Sequence, residues 1–175
     1  LIVHKYIKAI TRILSRVAQS DLDTKVIRNF LEILVILHDY GKAAKAYTYE
    51  PRYYHEVLSG YVTYKAVLEY LENEDIPHRE ELAVLASLAI YLHHEHRIVR
   101  IARTLGEPIV LLKSIINKTY KSTDVDQEAN KVFEKILEKS INRKITIAEQ
   151  KYPEEKIKNF YSGSLFQILN LIKPS

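Results

Sequence analysis

The chain has 175 residues, of which 47% are hydrophobic and 27% charged, a composition typical of soluble globular proteins. Its 26 basic and 22 acidic side chains leave a formal net charge of +4, which is a mild bias toward anionic partners. Because the sequence contains no cysteine, disulfides and thiolate metal sites are excluded, and any metal must be held by histidine, carboxylate or backbone oxygen.

The sequence predicts a cytoplasmic protein that does not enter a membrane. No run of about 18 or more apolar residues is present, so no transmembrane helix is expected. The first residues, Leu1 to His4, lack the charged start and the cleavage site of a secretory signal. From the length of the chain we expect one domain over residues 1–175.

Apolar residues at spacings of three and four dominate the chain, with only four glycines and five prolines, so we predict an all-α helical bundle. The first helix is predicted over Val3 to Ala18. Its apolar stripe is Ile7, Ile10, Ile13, Leu14 and Val17. Asp23 is the predicted N-cap of a second helix, Thr24 to His38. The second half of this helix is apolar nearly all round, as expected of a central buried helix.

The middle of the chain is predicted to hold two longer helices. Gly41 to Pro51 is predicted to form a loop or a short helix. A third helix is predicted over Arg52 to Asn73 and a fourth over Arg79 to His96. The predicted buried stripe of the fourth helix is Leu82, Leu85, Leu88, Ala89 and Leu92.

The second half of the chain is predicted to be helical with short breaks. Ile98 to Leu105 either continues the fourth helix or forms a separate one. The later helices are predicted over Ile109 to Thr119, over Val125 to Asn142 with Ser122-Thr123-Asp124 as its cap, and over Glu154 to Ile172. Lys144 to Lys151 is predicted as a linker, and Arg143 to Ile147 is the one candidate for a short extended segment.

Potential metal ligands lie at the ends of the predicted apolar helices. His38 and Asp39 end the second helix, and Gly41 lets the backbone turn behind them. His93 and His94 lie near the end of the fourth helix. A single histidine in such a position is more often an ordinary core or surface residue. Paired ligand types at two buried helix ends nevertheless favour a metal site, and a carboxylate can bridge two cations.

The order of these residues along the chain is distinctive. It reads His4, then His38-Asp39-Tyr40-Gly41-Lys42, then His55-Glu56-Val57-Leu58-Ser59, then His93-His94. This order resembles the HD superfamily of metal-dependent phosphohydrolases, and within it the CRISPR-associated HD nuclease, the stand-alone nuclease subunit of type I interference. The resemblance covers nearly the whole chain. It implies a helical HD bundle with the metal site at its centre.

The resemblance also implies a set of metal ligands. Two divalent cations would be bridged by Asp39, the first held further by His4 and His38, the second by His55, His93 and His94. Glu56 is expected to support the His55 ring. Asp39 and Lys42 are the residues expected to act in catalysis, because Lys42 matches a family lysine that faces a phosphate. The alternative for Lys42 is a solvated loop charge or a bond to a helix end.

One ligand of the family is replaced in this sequence. The family places an aspartate in a late helix, and Asn170 stands at the matching position. Because asparagine offers one neutral oxygen, we expect weaker binding of the first metal and reduced activity. The asparagine is a natural departure, an introduced change, or a sign that another acid takes this role. Asp124 and Asp126 are the alternative acids, although both are better explained as helix-start residues that favour the helix dipole.

These residues suit phosphodiester cleavage. Two cations about 3.5–4 Å apart activate a water molecule and bind phosphate oxygens. Histidine-rich sites favour Mn, Co or Ni over Mg, which prefers oxygen ligands. We therefore expect a metal-dependent nuclease that cleaves single-stranded DNA, with RNA as a further substrate. The basic residues expected along the strand are Lys45, Arg52, Arg97 and Arg100, the alternative being that they form a solvated surface.

The expected partners follow from the same resemblance. It implies a separate helicase subunit and an RNA-guided surveillance complex, and the sequence lacks the glycine-rich phosphate-binding loop of a helicase. Two alternative functions remain open. One is an HD phosphohydrolase that acts on nucleotides or cyclic nucleotides. The other is a catalytically weakened helical subunit that serves in docking.

Overall fold

The structure is a computed structural model that describes residues 2–49, 55–93, 123–147, 149 and 151–172, with the side chains of residues 2–6, 123 and 164–172 left undescribed. The α-helices in these ranges are α1 (Ile2–Ala18), α2 (Thr24–Leu37), α3 (Lys45–Tyr49), α4 (His55–Asn73), α5 (Arg79–Tyr91), α6 (Gln127–Ile141) and α7 (Glu154–Ile172). A 3₁₀ helix spans Tyr40–Ala43, and two short strands, β1 (Thr123–Asp124) and β2 (Lys151–Tyr152), pair antiparallel. The predicted all-α class is confirmed.

The central helix of the described fold is α4. It packs most extensively against α5 and also contacts α2, α7 and the 3₁₀ helix. Its first six residues, 55–60, are all buried, as expected where other elements surround a helix, and further along the buried residues recur at helical spacing on one face. They include Val57, Leu58, Val62, Ala66, Val67, Tyr70 and Leu71. The first residue of α4, His55, is therefore delivered to the interior of the bundle.

Helix α2 begins where the sequence predicts and ends one residue earlier. Asp23 is its N-cap, and its side chain accepts a hydrogen bond from the Lys25 amide at 2.6 Å. Its last helical residue is Leu37, and His38 is the C-cap. The prediction that the second half is buried all round is wrong at Val35, which is 65% exposed.

The buried stripe of α5 differs from the predicted one. Leu85 and Leu92 are each 37% exposed. The buried face instead contains Ala83, Ala86 and Ser87, together with larger side chains. Because these residues are small, they let α5 approach α4 closely, as the dense packing of a protein interior requires. Leu82 is buried as predicted, but the prediction missed the larger Val84, Ile90 and Tyr91 as well as the small residues, so the buried face is rotated from the predicted one.

A similar error affects α1. Ile13, which was predicted to lie on the buried stripe, is 56% exposed, whereas its neighbour Leu14 is 4% exposed. The remaining members of the predicted stripe are partly buried against the core. The buried face of α1 is therefore narrower than its apolar residues suggest.

The segment before α6 is a strand and not the helix start that was predicted. Thr123 pairs with Tyr152, and Val125 forms an isolated bridge with Ala44. The N-cap of α6 is Asp126, whose side chain accepts from the Ala129 amide at 2.9 Å. The cap predicted at residues 122–124 is therefore wrong in position, and Asp126 takes that role.

The predicted linker between the last two helices is partly buried. Ile145 and Ile147 are 0% and 1% exposed, and they pack in the core as irregular chain. The extended segment expected at residues 143–147 does not form a strand. The strand in this part of the chain is β2, Lys151–Tyr152. The predicted helices at 98–105 and 109–119, and the predicted helical residues 52–54 and 94–96, lie outside the described residues. Within the described residues, no helix has the length and apolar character needed to cross a membrane.

Candidate metal centre

Three helix ends meet at one carboxylate. Asp39 lies in the turn after α2, His55 opens α4, and His93 lies two residues after α5. The Nε2 atom of His55 lies 3.1 Å from Asp39 Oδ1, and that of His93 lies 4.0 Å from the same oxygen. On the other side of the carboxylate, His38 Nε2 lies 3.3 Å from Oδ2. The structure thus brings together four of the residues that the sequence marks as candidate ligands.

Two of the imidazoles are oriented by the ends of the helices that carry them. His38 Nδ1 lies 2.7 Å from the carbonyl oxygen of Val35, and His93 Nδ1 makes the same contact with Ile90. A carbonyl oxygen can only accept a hydrogen bond, so Nδ1 of each ring must carry the hydrogen. In the neutral form of such a ring, which is the form that binds metals, Nε2 would be the ligating atom, and Nε2 is the atom that faces Asp39.

The third imidazole is supported by a carboxylate. His55 Nδ1 lies 3.3 Å from Glu56 Oε2, and both side chains are less than 10% exposed. A carboxylate behind a ligating histidine fixes the orientation of the ring and raises its basicity. The predicted pairing of Glu56 with His55 is therefore present. The ring of Tyr47 packs edge-on against the outer side of His55, with 5.6 Å between the ring centroids.

Lys42 balances the charge of the central carboxylate. Its Nζ donates to Asp39 Oδ2 at 2.7 Å. Partial burial alone would raise the pKa of Asp39, but the hydrogen bond from Lys42 and the nearby positive charges outweigh it and lower the pKa. The same hydrogen bond raises the pKa of Lys42. Lys42 is therefore neither a purely solvated loop charge nor a cap on a helix end.

Glycine is required in the turn that carries Asp39. A Cβ atom added to Gly41 would lie 2.8 Å from the carbonyl carbon and 2.9 Å from the Cα of His55, and closer still to the carbonyl oxygen. The backbone of the turn therefore rests directly on the first residue of α4. This close approach places the Asp39 carboxylate within reach of the His55 ring.

The same turn is fixed from its buried side by Tyr40. The Tyr40 hydroxyl donates to Asn130 Oδ1 on α6 and lies 3.2 Å from the Tyr152 hydroxyl. Tyr152 in turn donates to the carbonyl oxygen of Ile147 at 2.6 Å. These contacts join the turn to α6 and β2, so residues distant in sequence support the position of Asp39.

The donor set fits a divalent transition metal. One donor atom each from Asp39, His55 and His93 lie within 4.8 Å of one another, and within the described ranges this is the one group of three or more such donors. Two imidazole nitrogens and a carboxylate oxygen match the preferences of Mn, Co, Ni or Zn. His38 adds an imidazole at the other carboxylate oxygen.

Several predicted site residues cannot be placed beside this group. The side chains of His4 and Asn170 lie outside the described residues, as do His94, Arg52, Arg97 and Arg100 in full. Lys45 is described: its side chain is 64% exposed and its Nζ lies 3.8 Å from Asp124. Of the two alternative acids, Asp126 caps α6, whereas Asp124 lies in β1 and not at a helix start.

The sequence does not show how the turn is supported. Ser59 closes the motif that begins at His55, and its spacing of one helical turn places it on the same side of α4, but no role was predicted for its hydroxyl. Tyr40 and Asn130 are 90 residues apart, and nothing in the sequence pairs them.

Comparisons with known proteins find similar chains. No protein-family profile matches the chain. It is 28% identical over 148 residues to the CRISPR-associated endonuclease Cas3-HD of Methanocaldococcus jannaschii. This match covers 80% of this chain and 58% of that protein. It is 26% identical over 129 residues to the protein of the same name from Pyrococcus furiosus, covering 67% of this chain and 50% of that protein. The chain thus spans about half the length of these curated relatives.

A solved structure shares the fold. The CRISPR-associated Cas3 HD domain protein from M. jannaschii superposes with a TM-score of 0.56 at 20% identity, covering 99% of this chain and 81% of that one. At this identity the match establishes the fold and nothing more. The resemblance found in the sequence is confirmed: the chain is similar to CRISPR-associated Cas3-HD proteins over most of its length, and it has the helical fold of an HD domain.

Proposed function

We propose that this chain is a metal-dependent nuclease that cleaves phosphodiester bonds in single-stranded DNA during CRISPR interference. The observation that carries the proposal is the convergence of His55 and His93 on one oxygen of Asp39, in a chain similar to proteins named as endonucleases. A separate helicase subunit would supply the single strand, and an RNA-guided surveillance complex would select the target. RNA is a further candidate substrate.

The two oxygens of Asp39 support a division of the site into two cation positions. His55 and His93 lie on the Oδ1 side, and His38 lies on the Oδ2 side. We assign His38, with His4 and Asn170, to the first cation. His55 and His93, with His94, are assigned to the second. Bound cations of this kind lower the pKa of water and offset the charge of a phosphate group.

The side chains around the ligands have separate roles in this proposal. Asp39 would supply an oxygen to each of the two cation positions, and the hydrogen bond from Lys42 helps to lower its pKa, which favours the carboxylate form that binds cations. The Lys42 ammonium, whose side chain is 41% exposed, can also reach a phosphate oxygen at the mouth of the site. Glu56 keeps the His55 ring in the orientation that presents Nε2 to Asp39.

The segment after Lys42 is the proposed start of the path for the strand. Lys45 offers a positive charge, while Tyr47 and Tyr49 are 43% and 79% exposed on the same short helix, α3. Aromatic side chains stack on unpaired bases without regard to sequence, and basic side chains follow the phosphates. Arg52, Arg97 and Arg100 would extend this path.

A nuclease assay with matched variants tests the proposal. Labelled single strands, duplexes, RNA, nucleotides and cyclic nucleotides are incubated with Mn²⁺, Co²⁺, Ni²⁺ or Mg²⁺, and metal content is measured by mass spectrometry. The wild type should cut single-stranded DNA with the first three ions and only weakly with Mg²⁺. Asp39→Asn and His55→Ala should lose this activity.

The control for these variants is His78→Asn. His78 is a histidine at the N-cap of α5 that contacts Glu81, and its backbone φ of 51° is one that asparagine tolerates. This variant should retain wild-type cleavage. Hydrolysis of cyclic nucleotides without strand cleavage would instead identify a small-molecule phosphohydrolase. Metal binding without any hydrolysis would identify a docking subunit, and either result refutes the nuclease proposal.

A further inference from the structure

A buried hydrogen bond joins the two segments that carry Asp39 and His55. The Gly41 amide lies in the first turn of the 3₁₀ helix, where backbone N–H groups have no partner within a helix. It donates to the Ser59 hydroxyl oxygen at 2.8 Å, and Ser59 is 0% exposed. The bond is therefore shielded from water, so a water molecule cannot easily replace the serine.

The position of Ser59 gives this bond a particular consequence. Ser59 follows His55 by four residues in α4, so both side chains project from the same face of the helix. Gly41 follows Asp39 by two residues. One hydrogen bond thus ties the turn that bears the carboxylate to the helix that bears the imidazole. Because Gly41 lies directly against the backbone of His55, the turn cannot move closer to α4.

We propose that Ser59 is a positioning residue, which sets the distance between the Asp39 carboxylate and the His55 imidazole for a shared cation. The proposal rests on the metal centre proposed above. Ligand distances to a transition metal lie near about 2.0–2.2 Å, with a tolerance of about 0.2 Å. The His55 ring is fixed on a long helix and backed by Glu56. Asp39 sits on a short turn, which needs an added restraint to reach that tolerance.

Removal of the Ser59 hydroxyl should change metal binding more than folding. In Ser59→Ala the Gly41 N–H is left in a dry environment without its acceptor, so the turn relaxes toward another partner. Asp39 moves with the turn while His55 stays on α4. Loss of groups that orient metal ligands typically weakens metal binding about 10- to 100-fold, and we expect this range for Mn²⁺.

The experiment is a calorimetric titration of Mn²⁺ alone into the wild type and Ser59→Ala. The temperature is chosen so that circular dichroism shows both proteins fully folded. Thr63→Val is the matched control: Thr63 lies one turn further along α4, is 0% exposed, and its hydroxyl has no hydrogen-bond partner in the part of the chain that is described. This control should bind Mn²⁺ like the wild type. Ser59→Cys, which keeps a weak acceptor of similar size, should bind with intermediate affinity.

The outcomes separate this proposal from the proposed function. If folded Ser59→Ala binds Mn²⁺ with wild-type affinity, or if Ser59→Ala does not fold and Ser59→Cys binds like the wild type, Ser59 has no positioning role and the metal centre stands. If the wild type itself binds no Mn²⁺, the metal centre fails and this proposal with it. In strand cleavage the expected signature is a lower kcat with little change in KM at saturating Mn²⁺, since Ser59 is buried away from any strand.

Discussion

The substitution Gly41→Ala is the most direct test of how the turn after α2 builds the site. The added Cβ would lie 2.8 Å from the carbonyl carbon of His55, whereas ordinary contacts begin at 3.4 Å. The turn and α4 must therefore separate by about 0.6 Å (3.4 less 2.8), and by more to clear the carbonyl oxygen. The obstacle is helix backbone, which cannot rotate aside as a side chain can.

This displacement exceeds the tolerance of a metal site. Metal–ligand distances are held within about 0.2 Å, so the shift should separate Asp39 from His55 as ligands of one cation. A misplacement near 1 Å can cost about 100-fold in rate, and we expect a loss of strand cleavage of that order. Overpacking should also lower the free energy of unfolding by about 1–3 kcal/mol.

Two measurements and one control distinguish the site effect from lost stability. Mn²⁺ affinity and strand cleavage are measured at a temperature where the variant is folded, and stability is measured by urea denaturation. Gly163→Ala is the control, because a Cβ at this α7 position meets no atom of the described residues within 4 Å. Alanine in a helix is favoured over glycine by about 1 kcal/mol, so the control should be slightly more stable and fully active. Wild-type Mn²⁺ affinity in folded Gly41→Ala would refute the reasoning.

Three further predictions concern the edge of the site and the surface. Asn170→Asp should bind Mn²⁺ more tightly and cut faster if this position completes the first cation site, and an unchanged titration would remove residue 170 from the ligand set. Lys45→Ala should weaken binding to single strands and reduce the salt slope by about 1, as measured by fluorescence anisotropy at several salt concentrations; an unchanged slope would exclude a phosphate contact. Although burial opposes it, the Lys65 hydrogen bond keeps the pKa of Glu149 below its usual value. Its contribution to stability should thus be present above about pH 4.5 and lost as the pH falls through the lower folded-state pKa. Glu149→Gln should flatten this acid limb of a melting-temperature profile, and an acid limb as steep as that of the wild type would contradict the assignment.

The sequence predicts the helices better than it predicts their rotation. Periodicity and an N-cap aspartate locate α2 within one residue, because local propensity and burial agree there. The buried face of α5 was misjudged because apolar residues lie on more than one side of this helix: Ile90 and Tyr91 are buried, whereas Leu85 is exposed. The small residues Ala83, Ala86 and Ser87 complete the buried face. Gly60 of α4 meets this face, where an added Cβ would lie 3.0 Å from the carbonyl oxygen of Ser87. Such close packing depends on the side chains of both helices together, so the pattern of one helix alone does not predict it.

The candidate site was predictable to a similar degree. Paired ligand types at helix ends, together with the order of the histidines, indicate which residues to bring together. They do not indicate that Asn130 holds Tyr40, a contact across 90 residues that exists only once α6 is packed beside α2. The supports of the turn depend on tertiary packing, and one sequence contains no direct record of that packing.

The ends of α2 and α5 explain why the ligands lie where the helices stop. In a continuing α-helix the carbonyl oxygen of Ile90 would accept the amide of residue 94, four residues on. Because α5 stops at Tyr91, that oxygen is available to the His93 amide at 3.2 Å and to His93 Nδ1. The carbonyl oxygen of Val35 likewise lies in the last turn of α2 and holds His38 Nδ1. Carbonyl groups in the last turns of these helices thus contact Nδ1 and orient each imidazole. A helix that continued through His96, as predicted, would have used the Ile90 carbonyl oxygen for a backbone hydrogen bond. The end of α5 at Tyr91 therefore helps to form the site.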